Sequence, residues 1–178
     1  MKYVIASDIH GSAAATKRII NLVGSLGAEK IILLGDVYNH GPRNPLPEEY
    51  DPMTVASLLN REKARLTVIK GNCDSAVDTM ISEFDFLDTS ALFIGNKTLV
   101  LTHGHVYNAE NPPKTDFDAL IYGHFHTGFI KKENGKLFIN VGSVSLPKGG
   151  TEKSLLFVDD STLSLLTLDG KVIDSVVL

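Results

Sequence analysis

The sequence predicts an α/β fold with mixed sheets, and three observations carry that expectation. The first half alternates short apolar runs with helix-patterned segments. The second half is strand-rich and holds two turn dipeptides, Gly95-Asn96 and Asn134-Gly135, each between apolar runs. No internal repeat, low-complexity stretch or composition break divides the 178 residues, so one domain over 1–178 is expected.

Lys2 to Ser7 is expected as a buried strand, and Ser12 to Leu26 as a helix with Ile19, Ile20, Val23 and Leu26 on one face. Lys30 to Leu34 reads as a second strand, followed by a turn-rich loop from Asn39 to Tyr50 that contains three prolines. Asp51-Pro52 has the form of an N-cap with proline at the first helical position, opening a helix to about Arg61. Leu66 to Lys70 is a third strand, and Ser75 to Ile81 a short helix. This alternation implies right-handed crossovers and a parallel sheet. The later segments fall at 91–94, 97–101, 119–122, 128–132, 136–141, 154–158, 163–168 and 171–177. Apart from 119–122, they read as antiparallel additions.

Composition narrows the classes. With 43% hydrophobic and 21% charged residues the chain is an ordinary globular one, long enough to bury a core without disulfides. Cys73 is its single cysteine, which suits a reducing, cytoplasmic setting. Asp8 interrupts the apolar start too early for a signal-peptide core, and no run approaches the roughly 20 residues of a spanning helix. A net charge of −4 with no basic block argues against stable nucleic-acid binding. An acidic protein that binds phosphate must supply positive potential locally, and metal ions do that most strongly.

The histidines and several carboxylates lie where such ions would be held. Asp8 and His10 follow the first strand, Gly35-Asp36 and His40 the second, and Gly71-Asn72-Cys73-Asp74 the third. His103-Gly104-His105 and Gly123-His124-Phe125-His126 follow two later strands. Ligands of open α/β sheets bind beyond the carboxyl ends of strands, so five distant segments are expected to converge on one sheet edge. Carboxylate, amide oxygen and imidazole together suit a divalent ion. On strand spacing, Asp8 and His10 face one way, as do His124 and His126. Asp36 is suited to bridge two ions, one through each oxygen.

Taken in order, Asp-x-His, Gly-Asp, Gly-Asn, His-Gly-His and Gly-His-x-His resemble the calcineurin-like metallophosphoesterase superfamily, and within it the small bacterial phosphodiesterases of the YfcE type. The motifs span Asp8 to His126, and Asn140-Val141-Gly142-Ser143 extends the likeness. The resemblance implies a four-layer α/β/β/α sandwich of two mixed sheets flanked by helices. It implies one metal on Asp8, His10, Asp36 and His126, and a second on Asp36, Asn72, His103 and His124. Two dications facing two carboxylates and a hydroxide leave a residual charge of roughly +1 for a phosphate. The expected activity is hydrolysis of a small phosphodiester by in-line attack of a metal-bridging hydroxide. Mn²⁺ is the implied metal, with Fe, Co, Ni or Zn suiting the same ligands.

Arg43 is the candidate clamp on a non-bridging oxygen. Cys73 stands where many relatives carry the histidine thought to protonate the leaving group; His40 or water is the alternative proton source. Asp74 is a catalytic candidate, or else caps the short helix after it. His105 either orients a ligand or finishes a turn, and Asn140, Gly142 and Ser143 shape a loop near the site. Asn39 replaces an acidic residue of many relatives. The rival to an enzyme is a non-catalytic metal-binding scaffold, a use of this fold known in the small retromer subunit. A metallo-β-lactamase-like zinc site would need a His-x-His-x-Asp-His cluster, and none is present. The apolar tail Val172 to Leu178 suits either a place in a sheet or pairing in a dimer or tetramer.

Overall fold

Two mixed sheets face each other across an apolar layer in the computed structural model, which describes residues 1–178. The seven-stranded sheet contains β1 (Lys2–Ala6), β2 (Lys30–Leu33), β3 (Leu66–Ile69), β4 (Phe86–Leu87), β10 (Ser154–Asp159), β11 (Thr162–Thr167) and β12 (Val172–Val177), in the order β12-β11-β10-β1-β2-β3-β4. The five-stranded sheet contains β5 (Ser90–Ile94), β6 (Lys97–Leu101), β7 (Ala119–Tyr122), β8 (Phe129–Glu133) and β9 (Lys136–Asn140), in the order β5-β6-β7-β9-β8.

Period-2 alternation divides the core. Ile5, Ile32, Leu156 and Leu163 point from the first sheet towards Leu99, Leu101, Ile121 and Ile139 of the second. Their neighbours Val4, Ile31, Leu33 and Leu155 point the other way, onto helices α1 (Ala13–Ser25) and α2 (Pro52–Arg61). The outer face of the five-stranded sheet carries Leu120, Tyr122 and Phe138, packed with Phe117 from the segment before β7. Helices therefore flank the seven-stranded sheet, while the outer face of the other carries this small cluster with Phe117 packed on it.

The caps form as expected. Ser12 accepts from the Ala15 N–H at 3.1 Å, and Asp51 accepts from the Thr54 N–H at 3.0 Å with Pro52 next in the chain. Both hairpins form across their dipeptides. Asn134 and Gly135 take φ of 50° and 79°, the positive pair of a type I′ turn.

Two expectations change, and the C-terminal segment takes one of its two expected places. Not all second-half strands are antiparallel additions: β6 and β7 pair in parallel, as do β7 and β9. The long connection from β6 to β7 and the hairpin detour through β8 allow both parallel pairings. The segment 75–81 is a short 3₁₀ turn, Ala76–Met80, and its cap is Ser75 boxed with Asp78, not Asp74. The apolar tail takes a place in the sheet: β12 is its outer strand, with Val172, Ile173 and Val177 exposed. No helix is long and apolar enough to cross a membrane.

Candidate metal centre

The carboxyl ends of β1, β2 and β3 in one sheet meet those of β6 and β7 in the other, and the predicted ligands gather there in two groups. Asp8, His10 and His126 form one; Asp36, His103 and His124 form the second. His126 Nε2 lies 3.2 Å from Asp8 Oδ1 and 3.1 Å from His10 Nε2. His103 Nε2 lies 3.5 Å from Asp36 Oδ2, 3.3 Å from His124 Nδ1 and 3.0 Å from Asn72 Oδ1. Asp36 Oδ2 is also 3.8 Å from His10 Nε2, which places it between the groups.

The convergence does not come from strand spacing. Asp8, His10, Asp36, His124 and His126 all lie beyond their strands with φ between 51° and 66°. They are five of the eight non-glycine residues with positive φ in the chain. The left-handed conformation tolerates Asp and His better than most side chains and here turns alternate residues inward.

Each ligand is oriented from behind. The Nδ1–H groups of His10, His103 and His126 donate to the carbonyls of Asn39, Leu34 and Leu146 at 2.7, 2.6 and 2.6 Å, leaving each Nε2 facing inward. Asp8 Oδ2 accepts from the His124 N–H at 2.9 Å, and Asp36 Oδ1 from the Cys73 N–H at 2.7 Å. One oxygen of each carboxylate is thereby engaged. Asp36 faces both groups with Oδ2 alone, not with one oxygen to each as expected.

Glycines and serines make this closeness achievable. A Cβ on Gly71 would sit 2.2 Å from Asp36 Oδ1, and one on Gly123 2.0 Å from Ser7 Oγ. Ser143 and Ser145 both donate to the Asp8 carbonyl at 2.8 Å, and Asn140 donates to the Gly123 carbonyl at 2.7 Å. The 140–143 segment shapes the site as expected. Ser145 had no distinguishing pattern in the sequence.

Charge in the centre is heavily coupled. Burial opposes the Asp8 carboxylate, yet contact with His10 and His126 outweighs it and holds the group well below the usual range. His103 is buried too, but Asp36 raises it to about 9. Burial and His103 lower His124 to about 4. Asp8 Oδ1 is buried with no hydrogen-bond partner, and at most one proton fits between the facing Nε2 atoms of His10 and His126. Orphaned oxygen and inward-facing nitrogen together fit divalent cations, which would satisfy both.

A cleft of about 600 Å³ opens over the centre, lined by Asp36, Asn72, Cys73, His124 and His126 together with Arg43 and Lys148. Burial first, then Asp36, pushes the Cys73 thiol up to about 12, so it is a neutral thiol in the metal-free protein. Asp74 lies beneath the cleft. Its carboxylate accepts from the backbone N–H groups of Asp36, Val37 and Gly71 at 2.8, 2.8 and 2.7 Å. That corrects the reading of Asp74 as a helix cap, since Ser75 caps that turn; Asp74 clamps two loops together. His40 turns away to pack edge-on against Tyr50 with ring centres 5.4 Å apart, and does not line the cleft. His105 stands 5.3 Å from His103, ring to ring, without a hydrogen bond to it.

A family model described as the calcineurin-like phosphoesterase superfamily domain matches residues 1–162. The chain is 43% identical over 176 residues to phosphodiesterase YfcE of Escherichia coli K12, covering 97% of this chain and 95% of that protein. The solved structure of YfcE, a phosphoesterase from E. coli, aligns with a TM-score of 0.95 and 40% identity over 99% of each chain. Vps29 of Entamoeba histolytica, solved in complex with Zn²⁺, aligns with a TM-score of 0.65 and 23% identity over 99% of each chain, a likeness of fold.

Proposed function

The chain belongs to the calcineurin-like phosphoesterase superfamily, and from that premise we propose that it is a dinuclear-metal phosphodiesterase acting on a small phosphodiester. Asp8, His10, His126 and Asp36 would hold one ion, and Asp36, Asn72, His103 and His124 the other. The observation that carries this is Asp36 Oδ2, within 3.8 Å of His10 Nε2 and 3.5 Å of His103 Nε2. When bound, two such ions supply an acidified water and offset charge developing on the phosphoryl oxygens. Mn²⁺ is the metal favoured by the resemblance. The reducing cytoplasm suits the free cysteine.

The protein's own groups divide the remaining work. Arg43 lines the cleft, and a guanidinium there would bind a non-bridging oxygen. Asn72 shares its side-chain oxygen with the His103 face, so its amide plane is set by that ring. Asp8 and Asp36 would supply the negative charge that the cations meet. The test is turnover of bis(p-nitrophenyl) phosphate by Mn²⁺-loaded and chelator-stripped protein, with metal content measured alongside. Metal bound without turnover would leave the scaffold reading standing.

Two further results are expected. His103 carries a proton up to about pH 9 in the metal-free protein and must lose it to ligate. Metal affinity therefore rises with pH towards 9, and binding at pH 7 releases protons; calorimetry in buffers of different ionisation enthalpy measures the number. A flat affinity from pH 6 to 9 would contradict the ligand role of His103. Cys73→His restores a proton donor on the cleft wall. It is expected to accelerate an alkyl diester such as glycerophosphocholine by roughly tenfold or more, with little effect on bis(p-nitrophenyl) phosphate, whose leaving group needs no proton. Equal changes on both substrates would count against a leaving-group role at position 73.

A further inference from the structure

Lys148 is the cation of the cleft that the sequence did not single out. Its position is set by the candidate metal centre itself. The Lys148 N–H donates to the His126 carbonyl at 2.9 Å, while the His126 ring donates to the Leu146 carbonyl at 2.6 Å. Thr151 closes the turn, its N–H and hydroxyl reaching the Lys148 carbonyl at 3.1 and 2.8 Å. Lys148 is thus tied to His126, and its side chain lines the cleft with Arg43.

Neither cation is neutralised by the protein. No carboxylate lies within ion-pair distance of Lys148 or Arg43, whereas Lys153 nearby is paired with Glu48 at 3.3 Å. The cleft amides are already engaged: Asn39 accepts from the Gly41 N–H, Asn44 donates to the His40 carbonyl, and Asn72 faces His103. A diester brings a single negative charge, which the residual charge of roughly +1 on a loaded centre already balances. With Arg43 assigned to the scissile phosphate, Lys148 is a further unpaired cation, in a chain of net charge −4, beyond what that charge requires. No Phe, Tyr or Trp lines the cleft to hold a base by stacking.

We propose that Lys148 forms a second anion subsite beside Arg43, and that the substrate is a phosphodiester one of whose arms carries a further phosphate or carboxylate. This rests on the phosphodiesterase reading and names its substrate class. The p-nitrophenyl ester of thymidine 5′-phosphate and its 3′-phosphorylated counterpart differ by that one group. Mn²⁺-loaded protein is expected to show a KM about tenfold lower for the 3′-phosphorylated ester at similar kcat, the effect of about one charge-assisted hydrogen bond on an open cleft.

Lys148→Gln should bring the KM ratio to near one with metal content retained, and Lys148→Arg should preserve it. In calorimetry, thymidine 3′,5′-bisphosphate should bind about tenfold tighter than thymidine 5′-phosphate to the wild type alone. Equal KM values in the wild type overturn the subsite. So does a Lys148→Gln variant that loses metal and slows both esters alike, because the side chain would then serve only to support His126. Turnover of neither ester by metal-loaded protein removes the phosphodiesterase reading itself, and the subsite with it.

Discussion

Asp36→Asn is expected to lower bis(p-nitrophenyl) phosphate turnover by about three orders of magnitude or more and to leave at most one metal ion tightly bound. Asp36 Oδ2 is the only oxygen that faces both ligand groups, and Oδ1 is engaged by the Cys73 N–H. The amide keeps the shape. With its oxygen turned to the Cys73 N–H, it offers an NH₂ where the centre needs a lone pair; with its oxygen turned inward, it confronts that N–H with another donor. In either orientation the negative charge that would lie between the two proposed ions is gone, so both would be held less tightly. Because Asp36→Asn removes a charge that the metal-free protein balances mainly with His103, folding should change far less than activity. Metal analysis and steady-state kinetics on the same preparation decide it. Turnover within tenfold of wild type would mean that Asp36 does not lie between two ions.

The second large effect falls on stability. Asp74→Ala is expected to cost about 3–6 kcal/mol, because three buried N–H groups lose their common acceptor and each unsatisfied group costs about 1–3 kcal/mol. Asp74→Asn should cost roughly half as much. Its one oxygen can serve the Asp36 and Gly71 N–H groups, which share Oδ2 now, leaving the NH₂ against the Val37 N–H. Urea unfolding of metal-free protein measures both. An Asp74→Ala variant within about 1 kcal/mol of wild type would show that the two loops hold together without the clamp. Because those loops carry Asp36 and Asn72, the same variant should also weaken metal binding.

The sequence made some levels of this structure readable and left others hidden, for identifiable reasons. Asp51-Pro52 and the two hairpin dipeptides specify local backbone geometry, and local geometry is what a short string of residues can encode. The convergence of the candidate ligands was legible because few environments bring Asp, Asn and His together at five strand ends. The pairing of β6 with β7 and of β7 with β9 was not legible, because strand direction depends on how a connection runs through space. Strand β4, two residues long, has too little pattern to announce itself. Asp74 and Ser145 are ordinary loop residues in sequence, and their importance arises only when distant backbone groups arrive beside them. Asp8 and His10 were placed on one side by a regular strand rule, whereas left-handed turns do it in fact.

Those turns have a consequence for how the protein tolerates change. Five candidate ligand side chains sit on backbone that most residues adopt only at a cost of about 1–3 kcal/mol each. Replacing His124 or His10 by glycine would abolish a donor while relaxing the main chain, so an inactive descendant can be the sturdier molecule. Selection for turnover must therefore continually hold these positions against a thermodynamic drift towards simpler residues. A lineage released from that selection would shed its chemistry first and keep its architecture longest.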